Sequence, residues 1–211
     1  MKSELISVRR ALAFAWPAFK NHRRIFLVII LSVLAAWIAL EIVVITGQRL
    51  GLLLWITAHL AFLIFFACTQ VGFLRTCLAL RDRREALLAD AFAPFSLGIR
   101  YLAALALYAL MVVVGLALLV VPGIYLGTRY AFFGYYFADG EPSIGNAFRS
   151  AARLAEGAIP DLAAILAALL VFNLLGAAVL GIGLLITIPV SGLFLADIYR
   201  QLSPLRQPIT Q

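Results

Sequence analysis

Six apolar stretches follow one another along this chain, and very little charge falls inside them. The first, Ile25 to Thr46, would be roughly 33 Å long as a helix, enough to cross a hydrocarbon core about 30 Å thick. Leu50 to Leu74, Tyr101 to Val121, the shorter Gly123 to Ala138, Leu162 to Leu180 and Ile182 to Ile198 complete the set. Tight turns at Thr46–Arg49, Val121–Gly123 and Gly181–Gly183 join them in pairs, using Gly and Pro to stop a helix. The longer connections, Arg75–Arg100 and Asp139–Asp161, are charged.

Such a chain cannot be an ordinary soluble globule. It is 64% hydrophobic and 13% charged, where a soluble domain has about 45–50% and about 25%. The expected fold is all-α: an integral membrane bundle of six transmembrane helices, arranged as three hairpins in a single domain covering residues 1–211. The first apolar run, beginning at Ile25, reads as an uncleaved signal anchor, because no compact apolar core with a small-residue cleavage site precedes it.

Charge sets the expected orientation. Fifteen of the 17 Lys and Arg residues belong to the N-terminal segment, the two long connections or the C-terminal tail; the exceptions are Arg49 and Arg129. The positive-inside rule then places both termini in the cytoplasm and the chain in a bacterial inner membrane. The net charge of +7 reads as contact with anionic lipid headgroups. Nucleic acid is not an expected partner, since no basic segment is large enough to fold in water.

Three segments show apolar residues at three- and four-residue steps, the pattern of a helix lying along a membrane surface. They are Leu5, Val8, Leu12, Ala15 and Phe19; Leu88, Phe92 and Phe95; and Ile144, Phe148, Ala151 and Ala155. Ala11-Leu12, Ala91-Phe92 and Ala147-Phe148 occupy matching places, and a hairpin turning at Gly47, Gly123 or Gly183 follows each segment. The pattern predicts a three-fold internal repeat of a cytoplasmic surface helix plus a hairpin, with units of about 3–74, 83–138 and 143–199.

Ionisable groups inside spans are costly and are candidates for function. Glu41, His59 and Arg129 are the three. Glu41 precedes Gly47 by six residues and Arg129 follows Gly123 by six, so both would lie about 9 Å from their turns. Equal depth and opposite charge predict a bridge between spans one and four; an anion site at Arg129, or snorkelling to the surface, are the alternatives. His59 reads as a hydrogen-bonded packing residue, with a proton relay as the sharper alternative. Gln70 and Asn173 read as interhelical hydrogen-bond formers, and Asp197 as a partner of Arg200. The aromatic run of span four, Tyr125 to Phe137, reads as an interfacial belt with close packing at Gly123 and Gly127, or as a lipid-lined groove beside Arg129.

Chemistry is sparse. Cys68 and Cys77 would be roughly 13 Å apart on one helix, too far for a disulfide. No GxSxG, HExxH, Walker A or CxxC pattern occurs, so neither an enzyme nor a cofactor or metal is expected.

The stretches Val121-Pro122-Gly123-Ile124-Tyr125 through Arg129, Ala138-Asp139-Gly140-Glu141, and Ala147-Phe148-Arg149-Ser150 to Glu156-Gly157 carry a resemblance. The chain resembles uncharacterised bacterial multi-pass inner-membrane proteins similar to the membrane domain fused to some glycerophosphodiester phosphodiesterases. That resemblance implies a six-span protein working near phospholipids and transfers no activity, because the phosphodiesterase domain is not in this sequence. Two functions are expected to compete: a non-enzymatic scaffold or assembly partner, acting with another membrane protein or as a homo-oligomer, and a transporter or channel for a lipid or small solute.

Overall fold

The computed structural model describes residues 6–47, 51–86, 91–141, 143–179 and 181–203, and these residues form eight α-helices with no strand. They are α1 (Val8–Thr46), α2 (Gly51–Arg81), α3 (Phe95–Leu118), α4 (Val120–Tyr130), α5 (Phe133–Ala138), α6 (Ile144–Ala155), α7 (Ile159–Ala178) and α8 (Leu184–Leu202). Four of them, α1, α2, α3 and α7, are long and apolar enough to cross a membrane.

The first surface segment and the first apolar run are one 39-residue helix, kinked where His22 leaves helical geometry (φ −115°, ψ 20°). Pro17, which has no N–H to donate, lies one turn earlier. The face that packs inward is only partly the expected stripe: Ala15 and Phe19 of it pack on the core. Ala11 and Ala15 are fully buried, while Val8, Leu12 and Trp16 are exposed, because the small residues let α1 lie close against α8. Leu5 lies outside the described residues.

Of the second expected surface helix, residues 91–94 are described and are not α-helical. Leu88 lies outside the described residues; Ala93 donates its N–H to the Cys68 carbonyl, and Phe95 already opens α3. Two causes act together. Pro94 disfavours helical geometry at the residue before it. The Ala91 backbone also lies so close to Gly72 that a Cβ there would be 1.8 Å from the Ala91 oxygen. The third expected surface helix, α6, is present, with Phe148, Ala151 and Ala155 buried and Arg149 and Arg153 outward.

Span four is not a single helix. The hairpin turns at Leu119, in extended backbone, and not at Gly123. Pro122 falls in the first turn of α4, where its missing N–H costs little. Gly123 serves close packing: a Cβ there would be 2.4 Å from Leu116 Cγ of α3. The helix breaks again at Ala131–Phe132, and α5 is buried on two sides. Phe132 and Tyr135 stack on Tyr199 of α8, whereas Phe133 and Phe137 meet Tyr101 of α3. The aromatic run is thus mainly core, with Tyr125 left exposed.

Helix α8 is the central strut, packing against α1, α2 and α7. Leu193, Ile198 and Tyr199 on it are fully buried. The core gathers at the end of the bundle that carries the charged connections, here called the basic end. The hairpin arms run away from it and expose apolar tips, with Leu118, Leu119 and Val121 each about 70% exposed or more and Val179 and Ile182 about 65%.

Candidate functional site

Polar chemistry concentrates where α1, α2, α5 and α8 meet at the basic end. Arg200, near the end of α8, donates through Nε and Nη2 to both oxygens of Asp82 (2.9 and 2.7 Å). Its Nη1 and Nη2 donate to both oxygens of Asp139, each at 2.9 Å. One guanidinium therefore forks onto two carboxylates, a geometry that lysine cannot supply. Burial alone would lower the Arg200 pKa, but its bonds to Asp139 and Asp82 outweigh this and hold it above its ordinary value. Tyr199 donates to Asp139 at 3.2 Å, and Arg84 donates to Asp82 at 2.9 Å.

A second pair lies beside the first. Asp197, 1% exposed, pairs with Arg81 of α2, whose guanidinium also sits 5.6 Å over the Phe14 ring of α1. Gln201 donates to Asp197 and exchanges bonds with the Ser7 backbone, accepting from its N–H at 2.6 Å. Three arginines and three aspartates thus tie the start of α1 to the ends of α2, α5 and α8. The sequence pairs Asp197 with Arg200; the structure pairs it with Arg81, and Arg200 is taken up by Asp82 and Asp139. The available signal was positional: Asp82, Asp139 and Asp197 all end apolar segments that return to the same side.

The three intramembrane candidates are not brought together. With the turn at Leu119, Arg129 lies about 15 Å along the helix from its turn, against about 9 Å for Glu41, so the equal-depth argument fails. Helix α4 packs on α3, α6 and α7, and among the described residues no ion pair joins Glu41 to Arg129. Arg129 instead donates to Tyr125 one turn back, at 2.6 Å, and lies 5.7 Å from that ring. His59 has its Nδ1 2.8 Å from the Trp55 carbonyl oxygen and its ring 4.1 Å from the Trp55 ring, both one turn back on the same helix. Asn173 bridges α7 to Ser191 of α8 at 2.9 Å, as its reading required. Gln70 faces a groove.

That groove, about 640 Å³, runs between α1 and α2 with Ile188 of α8 at its side. Ile29, Thr69 and Phe73 form a buried floor. Leu34, Trp37, Leu63 and Ile188 are 40–50% exposed, so it opens outward. Among the described residues, no group of three His, Cys, Asp or Glu side chains could hold a metal ion. Comparison of the chain with protein-family models, with curated proteins and with solved structures finds no match.

Proposed function

We propose that the chain is a non-enzymatic multi-pass protein of a bacterial inner membrane, with six spans and both termini in the cytoplasm, that acts as a scaffold or assembly partner and contacts phospholipid. The observation that carries this reading is the division of labour along the molecule. At the basic end, Arg81, Asp82, Asp139, Asp197 and Arg200 are committed to one another. Along the arms, the exposed side chains are large and apolar, Leu31, Ile38, Ile42, Leu110, Val113 and Leu174 among them. A locked polar end and long apolar outer faces suit a body that other membrane components pack against. The resemblance to membrane domains fused to phosphodiesterases supports work near phospholipids and adds no chemistry. Transport would require a polar path between the arms, and the groove between α1 and α2 offers only Thr69 and Gln70 in an apolar wall.

Native mass spectrometry of the protein extracted in native-membrane nanodiscs tests the proposal. A second membrane protein, or a second copy, held at fixed stoichiometry is expected. A chain that leaves the membrane alone at every extraction ratio would contradict it.

A further inference from the structure

We infer that the groove between α1 and α2 binds one acyl chain of an anionic phospholipid, with the phosphate held by Arg23; this rests on the membrane reading above and names the lipid it contacts. The groove's depth fits a single leaflet. From Ile29 to Trp37 it runs over nine residues of α1, about 12 Å of helix, close to half the hydrocarbon thickness of about 30 Å. Its floor is buried and its outer wall is open, as a chain entering sideways from the bilayer requires.

Charge stands at the matching end. Residues 23–46 are helical beyond the His22 kink, so Arg23, seven residues before Ile30, lies on the groove-lining face to within about 20° and roughly 10 Å nearer the basic end. Arg23, Arg24 and Lys20 are exposed, and among the described residues no ion pair involves them, whereas Arg81, Arg84 and Arg200 are paired. Lys20, Arg23 and Arg24 fall within five residues of one another around the His22 kink. A polar group also stands between cations and chain. Phe26 meets Phe73 and Trp37 meets Phe62, a register that sets Gln70 beside Ile29, about 9 Å from the level of Arg23. The Gln70 amide is placed to donate to a glycerol ester carbonyl, which sits between phosphate and chain in a phospholipid. Cation, amide donor and apolar slot thus occur in the order of a lipid's own parts.

The test reads lipid retained on the purified chain, so it does not depend on whether a companion protein copurifies. The protein is placed in nanodiscs of equal phosphatidylglycerol and phosphatidylethanolamine, released into the mass spectrometer, and its lipid adducts are counted. A single phosphatidylglycerol adduct in several-fold excess is expected, falling about fivefold in Arg23→Gln. Arg149→Gln, on the outer face of α6, should leave the adduct unchanged. Val33→Trp, which fills the groove without touching charge, should remove it. Equal retention of the two lipids, a loss in Arg149→Gln matching that in Arg23→Gln, or an adduct indifferent to Val33→Trp would each overturn the site. Failure of the chain to enter nanodiscs would overturn the membrane reading and the site with it.

Discussion

Asp197 shows how much a single buried charge decides in this molecule. Its carboxylate is almost wholly enclosed, and Arg81 and Gln201 are its partners. Asp197→Asn keeps the shape but leaves the Arg81 guanidinium unpaired, and breaking a buried pair in this way costs about 3–5 kcal/mol. Thermal unfolding in detergent should show a large fall in midpoint, and Arg81→Met combined with Asp197→Leu should recover most of it. Equal midpoints for the single variant and the parent would mean that the pair does not hold the fold. Glu41 and Arg129 stand in contrast. Since they do not meet, Glu41→Gln and Arg129→Gln should each shift stability by less than about 1 kcal/mol, as surface-like substitutions do. A double-mutant cycle with a coupling energy above that would restore the bridge that the sequence alone predicts. The reason the sequence misleads here is one residue's geometry: Pro122 and Gly123 look like the turn, but Leu119 makes it, and the depth of everything after it shifts by about one helical turn.

Elements were legible where periodicity and composition agreed, and opaque where a tertiary contact outbid them. Helix α6 and the α7–α8 hairpin follow directly from the apolar stripe and from Gly181, which adopts a positive φ of 73° at the turn. The non-helical backbone of residues 91–94 before α3 does not follow, because Ala91 is recruited by Gly72 and Ala93 by the Cys68 carbonyl, on a helix remote in pattern. The split of span four into α4 and α5 was likewise hidden: the aromatic residues face two neighbours, which no single-helix stripe encodes. Close approach of small residues substitutes for the hydrophobic drive that lipid does not provide. At Gly192 of α8, a Cβ would lie 2.5 Å from the Phe73 ring of α2. Gly192→Ala should therefore lower stability by about 1–3 kcal/mol through overpacking, and Phe73→Leu should relieve part of that loss in the double variant. A Gly192→Ala protein that melts like the parent would show that α2 and α8 are not in this contact.

For the whole molecule, the class was readable from the first long apolar runs and the function was not. The polar groups that could have announced chemistry come from four separate segments, and only their meeting at the basic end shows them paired and therefore structural. The central claim is a dry interior: a body whose arms touch lipid or protein and enclose no water path. Accessibility of cysteines within the arms measures it most directly. In a background with Cys68 and Cys77 replaced by alanine, single cysteines at Ala104, Ile165 and Thr187 are exposed to a water-soluble, membrane-impermeant maleimide in permeabilised vesicles, with Glu141→Cys as the labelled control. The account predicts rapid labelling at residue 141 and none at the other three within the same time. Labelling of all four at comparable rates would show water between the arms, and the protein would then be a conduit and not a scaffold.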